Sequence, residues 1–497
     1  MRRLPYFIVS LLPCILLFCT SCAWPPDVEH PDLEFDQPEQ WTSGSDDSGE
    51  LEPHICVEWW TAFGDRAVDA AVLTALRQNH DLQAAAARVA RAAAEARIAG
   101  ADLQPSLGVG LSGARQRTNY VGLPFPGGED QVISSTYENF GVSLDVTWEL
   151  DLWERLRSTA RAALADFQAA GYDYEGAYLS IAGQTVKACF AVAEARQQIS
   201  LAEKTVESYR RSTDIVSARY KGGVRSPLEV RLALSNLSDA EANLELRHQR
   251  LDAARRQLDL LLGRYPGART EAPHSLPDVP SPVPPGLPAA LLSRRPDLAA
   301  SERRLTATLE RQDAARAALY PRISLTASGG TASNELSDLL DMDFKVWSVV
   351  GNLVQPIFQG GRLRAGVDRA DAQRAEALAA WAAAVLKSFA EVETALTAER
   401  LLAEREVHLD SAARHAEAAE ALAVDRYRSG LEEYITVLES QRAALLNRSR
   451  HLTVRRELLD NRVDLILALG GGFRVPEEEK DETPTADADR REGDQTR

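Results

Sequence analysis

The sequence has little of what builds a disulfide framework or a nucleic-acid surface. Its 497 residues include five cysteines, and 73 acidic residues outnumber 56 basic ones, which gives a formal net charge of -17. Such a balance repels phosphates unless a basic patch offsets it, and none stands out, so we expect no nucleic-acid partner. No residues form a recognisable catalytic or metal-ligand pattern, so the sequence predicts neither an enzyme nor a metal site.

The first residues have the pattern of a secretion signal. Two arginines precede an apolar run from Phe7 to Phe18, which is too short to cross a bilayer as a helix and is typical of a cleaved leader. Small residues before Cys22 resemble a bacterial lipobox, although Cys19 stands where an aliphatic residue is usual. We therefore predict a signal peptide over 1–21 and covalent lipid on Cys22, with no other cofactor. The alternative is an ordinary signal peptide that leaves Cys22 as a thiol.

An internal repeat divides the chain into two copies of one unit. Asn79–Leu82 corresponds to Arg295–Leu298, 216 residues later, and Tyr220–Gly223 corresponds to Tyr427–Gly430, 207 residues later. A stretch with eight prolines between 264 and 288 separates the copies and is typical of an extended linker. The predicted organisation is a lipidated N-terminal segment over 22–58, a first copy over 59–263, a linker over 264–290, a second copy over 291–472 and a disordered acidic tail over 473–497.

Long stretches without proline predict very long helices. None occurs from Arg155 to Ser226 or from Ile357 to Val475, and both stretches are rich in Ala, Leu, Glu and Arg. Apolar residues recur every seven positions in the last part of each copy, which is typical of coiled-coil packing. Two turns interrupt these helices, at Tyr220–Glu229 and Tyr427–Tyr434.

Alternating residues in each copy predict a β-hairpin, at about 105–152 and about 321–357. From Phe140 to Leu150 every second residue is apolar, which is the period of a strand with one apolar face. Such strands fit a membrane barrel as well as a soluble sheet, and the secretion signal favours the membrane. Because four strands cannot close a barrel and hydrocarbon tolerates no unpaired sheet edge, we predict a homo-oligomer.

Several motifs resemble the TolC-like outer-membrane efflux protein family, and in particular its NodT-type RND efflux lipoproteins. The resemblance rests on Leu291–Glu302, which contains Arg-Arg-Pro-Asp-Leu, on Trp148–Trp153 and on the paired Tyr-x-x-Gly turns. Glu154 departs from the family, which more often has Gly there. The resemblance implies an α+β membrane protein: a trimer whose 12-stranded β-barrel, four strands per chain, continues into a 12-helix periplasmic α-barrel of long coiled-coil helices.

The same resemblance implies a passive exit duct in a tripartite efflux system, which conducts small molecules such as drugs, toxic compounds or metal ions. Its partners would be two further copies of the chain, a periplasmic adaptor (membrane fusion) protein, an inner-membrane RND-type pump and outer-membrane lipid. Ala23 after Cys22 favours sorting to the outer membrane, from which the chain would extend into the periplasm. The alternatives are a type I secretion channel and a periplasmic coiled-coil scaffold without a pore.

The two helix–helix turns are the candidate docking sites. They are the breaks in otherwise proline-free helices, so we expect them at the far tips of the long hairpins, opposite the barrel. We predict that the adaptor binds there, at Tyr220 and Gly223 in the first copy and at Tyr427 and Gly430 in the second.

Glu432 and Glu433, directly after the second turn, are the candidate pore gate. In a trimer, three copies of this pair would surround one axis, repel each other and favour cations over anions. The alternative is that both are first-turn helix residues, stabilised by the helix dipole and facing water.

Overall fold

A computed structural model describes residues 41–43, 56–120, 132–223, 226–286 and 288–473. All of these fall in one compact unit, Gln37–Arg497. The predicted signal peptide, Cys22, most of the N-terminal segment and the predicted tail from residue 474 onward lie outside the described residues. Cys56 is exposed and Cys189 is buried, and both are free thiols.

The helices and strands follow one another in an order that occurs twice. Short 3-10 turns lie at Trp59–Phe63, Pro288–Ser293, Leu336–Asp338 and Met342–Phe344. The longer elements are α1 (Arg66–Gln78), α2 (His80–Ala101), β1 (Ser106–Tyr120), β2 (Ile133–Leu150), α3 (Arg155–Lys221), α4 (Pro227–Leu261), α5 (Pro296–Ala317), β3 (Arg322–Ser333), β4 (Lys345–Val354), α6 (Arg362–Arg428) and α7 (Tyr434–Ala468). The series α2–β1–β2–α3–α4 matches α5–β3–β4–α6–α7. The matching long helices have equal lengths, 67 residues for α3 and α6 and 35 for α4 and α7.

The predicted long helices are confirmed, and α3 and α6 each extend about 100 Å at about 1.5 Å per residue. Helix α4 begins where the Ser226 hydroxyl accepts a hydrogen bond from the Leu228 amide and Pro227 takes the first helical position. Within the described ranges, none of the helices combines the length and the apolar character that a membrane crossing requires. Of the ten residues at the sevenfold spacing, four are partly buried, Val230, Leu237, Leu244 and Leu445, and six are buried, Leu251, Leu258, Leu438, Leu452, Leu459 and Ile466.

The two hairpins join in one antiparallel sheet with the strand order β1–β2–β3–β4. Val146 of β2 lies opposite Leu107 of β1 and Ala327 of β3, and Ala327 lies opposite Val349 of β4. This register confirms the predicted alternation and makes the apolar face of β2 continuous across all four strands. Since β1 and β4 have no further partner among the described strands, both edges of the sheet remain open for pairing with another chain.

The segment between the two copies is bonded to the helices rather than free. The Arg462 side chain is 2% exposed and donates to backbone carbonyls of the segment, and it also pairs with Glu399 of α6. Arg196 of α3 and Arg455 of α7 make similar bonds. The carbonyl acceptors of these three arginines are Ala272, Pro273, Pro277, Pro280 and Ser281. The proline-rich segment is therefore a fixed part of the helical layer.

A short piece of the N-terminal region lies against α6. The Trp41 ring packs edge-on against Phe389 with centroids 5.9 Å apart. The backbone amides of Thr42 and Ser43 donate to the Glu393 carboxylate at 2.7 and 2.9 Å. Because these charge-assisted bonds accompany a buried aromatic contact, residues 41–43 are held firmly on the helix.

Candidate functional site

The sheet exposes an apolar face that a soluble protein would bury. Its outer strands carry six side chains that are each at least 63% exposed: Leu107, Val109, Leu111, Trp347, Val349 and Leu353. All six lie on the same face as Val146, as the strand register shows. A continuous apolar surface of this kind is typical of a sheet that faces lipid.

Aromatic side chains mark the end of the sheet where the strands meet the helices. The Trp148 indole donates to the Leu103 carbonyl at 3.1 Å, and the Trp153 indole donates to the Pro321 carbonyl at 2.9 Å. Trp153 also stacks on Tyr320 with ring centroids 5.0 Å apart. Rings with bonded polar tips are enriched at membrane–water interfaces, so this level is the candidate boundary between barrel and helices.

Glu154 occupies a backbone conformation that favours glycine. Its φ is 60°, and the matching residue of the second copy, Gly361, has a φ of 81°. The chain thus enters α3 and α6 by the same left-handed residue. In the first copy the Glu154 carboxylate pairs with Arg157 at 3.5 Å and with Arg161 at 3.2 Å. These contacts offset part of the strain at the one position where the sequence departs from the family pattern.

The two tip turns have the same construction. The Gly223 amide donates to the Tyr220 carbonyl at 2.9 Å, and the Gly430 amide donates to the Tyr427 carbonyl at 3.0 Å. Both glycines have a positive φ, 71° and 77°, and both face open space. Tyr220 is exposed as well. Three of the four predicted docking residues are therefore accessible in the described structure.

Tyr427, the fourth of them, is only 2% exposed and contributes to packing instead. Its ring lies 5.6 Å from that of Tyr434, and burial raises the pKa of the Tyr434 phenol above its usual range. The Arg219 guanidinium, from the last turn of α3, lies 4.6 Å from the centroid of the Tyr427 ring. Arg219 also donates to the Arg428 carbonyl at 2.7 Å. Arg219, which sequence reasoning missed, therefore links the tip of one helical hairpin to the tip of the other.

The two gate candidates differ in their surroundings. Glu432 is half-buried and accepts hydrogen bonds from Arg426 at 3.3 Å and from Thr436 at 3.2 Å. Glu433 is exposed and is the N-cap residue of α7, although its side chain makes no capping bond. The alternative interpretation placed both glutamates in the first turn, whereas α7 begins after them, at Tyr434. Glu433 is thus the member of the pair whose charge faces water.

Comparison with known proteins agrees with this arrangement. The model of the family described as outer membrane efflux protein matches residues 72–264 and 287–471. The pyoverdine export outer membrane protein OpmQ of Pseudomonas putida is 31% identical over 472 residues, which cover 94% of this chain and 98% of OpmQ. Outer membrane protein OprJ of Pseudomonas aeruginosa is 32% identical over 473 residues, which cover 95% of this chain and 97% of OprJ.

A solved structure shows the same architecture. The CmeC outer membrane channel of Campylobacter jejuni, 25% identical in sequence, superimposes with a TM-score of 0.85 over 92% of this chain and 96% of that one. Together with the sequence relatives, this likeness excludes a scaffold without a pore and an enzyme. The chain belongs to the outer membrane efflux protein family and is an outer-membrane efflux channel with the fold of the trimeric TolC-like ducts.

Proposed function

We propose that this channel is the lipid-anchored exit duct of an RND-type tripartite pump, which receives small molecules through an adaptor bound at the tip turns. One observation supports docking at the tip turns. The tips expose apolar side chains in an aqueous compartment, with Leu228 64% and Leu431 69% exposed beside Tyr220 and Ile435. Apolar residues grouped in this way mark a protein–protein interface. They lie a helix length of about 100 Å from the sheet, where a periplasmic partner can reach them.

The lipid anchor on Cys22 agrees with the position of residues 41–43. From Cys22 to Trp41 the chain advances 19 residues (41 minus 22), which span up to about 65 Å when extended. Along α6, Phe389 lies 27 residues (389 minus 362) beyond the membrane-side end at Arg362, or about 40 Å. A lipid on Cys22 can therefore reach the membrane while Trp41 stays on α6.

The gate proposal concerns Glu432 and Glu433. The ion pair of Glu432 with Arg426 reduces the contribution of Glu432, so Glu433 supplies most of the unpaired negative charge of a trimeric ring. Three exposed carboxylates around one axis repel each other and favour cations in the entrance.

Crosslinking tests the docking site. A cysteine at Gly223 or Gly430 would strain a positive φ, so the probes are Tyr220→Cys and Leu431→Cys in a Cys56→Ser background. Tyr265→Cys, in the segment between the copies and 89% exposed, is the control. We expect a bifunctional thiol reagent to join both tip probes, and not the control, to the adaptor. Adaptor contacts at Tyr265→Cys alone would contradict the proposal.

Metabolic labelling tests the anchor. Palmitate incorporation should disappear in Cys22→Ser, and continued labelling of that variant would exclude lipid on Cys22. The type I secretion alternative is tested by the inner-membrane partner that co-purifies with the crosslinked complex. A proton-driven RND pump supports efflux, and an ATP-driven secretion transporter contradicts it.

A further inference from the structure

The polar face of the sheet carries an acidic side chain at its middle. Asp145 of β2 lies opposite Gly108 of β1 and Ser328 of β3, and Ser328 lies opposite Ser348 of β4. In this row of four directly paired residues, the three partners of Asp145 are therefore no larger than serine. The carboxylate projects further from the backbone than any of its three partners in the row.

Ser143 and Gly110, the next pair on the same face of the sheet, hold the Asp145 carboxylate in place. The Ser143 hydroxyl donates a hydrogen bond to Asp145 Oδ2 at 2.7 Å. A Cβ atom at Gly110 would lie 2.7 Å from the Ser143 oxygen and 3.4 Å from Asp145 Oδ2, so a larger residue there would displace the pair. The glycine thus keeps open the space in which the serine and the aspartate bond.

The charge of Asp145 is not neutralised by a cation within the described part of the chain. Its close polar neighbours are the hydroxyls of Ser143 and Ser328. Glu149, on the same face and nearer the helices, differs because Arg155 pairs with it at 2.7 Å. Of these two carboxylates on one strand face, Asp145 alone keeps a full negative charge directed away from the sheet.

We propose that the three copies of Asp145 form a ring of negative charge inside the β-barrel and that this ring determines the cation preference of the membrane-spanning part of the duct. The inference rests on the trimeric barrel and on its polar face lining the lumen. Interior faces of such barrels are polar, and rings of carboxylates favour cations. The ring lies in the membrane segment, separate from Glu432 and Glu433 at the far tips, so the duct has two successive charge filters. Cationic cargo is favoured over anionic cargo at both.

Single-channel recording of the purified trimer in a KCl gradient tests the ring. In Asp145→Asn we expect the ratio of cation to anion permeability to fall about twofold at low salt and less at 0.15 M, where the Debye length is about 8 Å. The double variant Glu149→Gln with Arg155→Gln is the matched control, because it removes an ion pair of zero net charge, and its ratio should equal that of the wild type. Glu432→Gln with Glu433→Gln should reduce the ratio independently of Asp145.

A second variant keeps the test decisive if Asp145→Asn does not assemble. Asp145→Cys in the Cys56→Ser background is recorded before and after thiol modification of the same trimers. A negatively charged sulfonate reagent should restore the cation preference, and a positively charged ammonium reagent should reverse it. A permeability ratio that follows neither the substitution nor the attached charge overturns the ring. If wild-type trimers form no ion-conducting pore, the duct itself is contradicted, which is a distinguishable result.

Discussion

The side-chain amide of Asn79 donates a 2.9 Å hydrogen bond to the carbonyl oxygen of Leu261, where α4 ends. The second copy repeats this joint with different chemistry, because Arg295 donates to the carbonyl of Ala468, where α7 ends, at 3.2 Å. The corresponding glycines, Gly263 and Gly470, each lie so close to a backbone carbonyl that a Cβ atom would clash. In both copies, therefore, a side chain bonds the carbonyl at the end of the last helix. The donor is a neutral amide in the first copy and a charged guanidinium in the second.

Replacing Arg295 by Ala should loosen the second joint. The Arg295 side chain is 10% exposed, and it pairs with Asp297 and Glu391, each at 2.7 Å. Its loss removes the guanidinium from both carboxylates and from the Ala468 carbonyl, although Lys387 still lies 3.8 Å from Glu391. Because both carboxylates are partly exposed, we expect destabilisation of about 2 kcal/mol rather than the full cost of a broken buried pair.

Heat-induced dissociation of the detergent-solubilised trimer measures this loss. Arg91→Ala is the control, because Arg91 makes an exposed pair with Glu95 that should contribute less than about 0.5 kcal/mol. Equal midpoints for the wild type and Arg295→Ala would show that the joint carries no stability.

The sequence predicted the repeat and its elements because local signals encode them. The absence of proline defined α3 and α6, the Ser226-Pro227 pair defined the start of α4, and the alternation from Phe140 defined β2 and its apolar face. The roles of the buried arginines were not predictable in this way. Arg295 and Arg462 act on carbonyls more than 170 residues away, and no local period reports such contacts.

The predicted docking residues at the two tip turns were also only partly predictable from the sequence. The Tyr-x-x-Gly motif identified both turns, but it could not show that Tyr220 is exposed and Tyr427 is buried. That difference arises because Tyr434 and Arg219 cover one ring, and Arg219 comes from the other helical hairpin. A repeated motif therefore predicted the position of the turns and not the separate role of each residue.

Glu154 and Gly361 precede the two long helices in the same left-handed conformation, and we expect exchange of glycine and glutamate to destabilise the protein at Gly361 more than at Glu154. Gly361→Glu places a Cβ at a φ of 81°, and Asp368 stands where the first copy has Arg161, so the new carboxylate has one matching arginine, Arg364, instead of two; we expect a loss of about 1 kcal/mol. Glu154→Gly relieves the corresponding strain and loses two exposed ion pairs, so its stability should change by less than about 1 kcal/mol. Thermal melting of both variants checks this, and a larger loss in Glu154→Gly than in Gly361→Glu would contradict it.

Asp460 should make the contact between α3 and α7 more stable in mild acid. Burial raises the pKa of its carboxyl to about 6 despite the charges of Arg456 and Lys187. Because the folded pKa lies above the unfolded value of 3.8, the folded state binds the extra proton, and stability rises as the pH falls from above 6 towards 4. We expect a gain of about 1–3 kcal/mol over that window.

Melting curves at pH 7.5 and 5.0 test this pH dependence against Asp460→Asn. The variant has no proton to gain, and Arg456 keeps its 2.6 Å bond to Glu194, so it should melt higher than the wild type at pH 7.5 and should lack this part of the pH response. Asp425→Asn, at an exposed site near the tip, is the control and should retain the wild-type response. An identical pH response in Asp460→Asn would assign the effect to other groups.

Arginine substitutions at two neighbouring positions of β2 should distinguish the lipid-facing side of the sheet from the lumen-facing side. Val146→Arg puts a charge on the apolar face near the middle of the sheet and should cost about 2–4 kcal/mol in the bilayer. Thr147→Arg, one residue on and on the polar face, should be tolerated because it reaches the lumen. The yield of heat-resistant trimer in the outer membrane measures both, and equal yields would show that the two faces are not distinguished by lipid.

The link through Arg219 should hold the tips of the two helical hairpins together. Arg219→Ala removes the contact with the Tyr427 ring and the bond to the Arg428 carbonyl, which together contribute about 1–2 kcal/mol. If opening the duct separates the hairpins, this loss raises the open population about 5- to 30-fold per protomer.

In Arg219→Ala we therefore expect a higher single-channel conductance of the purified trimer. Arg219→Lys retains a positive charge but loses the planar guanidinium that contacts both the ring and the Arg428 carbonyl, so its conductance should lie between those of the wild type and Arg219→Ala. Arg211→Ala, which removes an exposed pair with Glu207 on the same helix, should leave the conductance unchanged. Conductance in Arg219→Ala no higher than in Arg211→Ala would show that the tips separate without breaking this link.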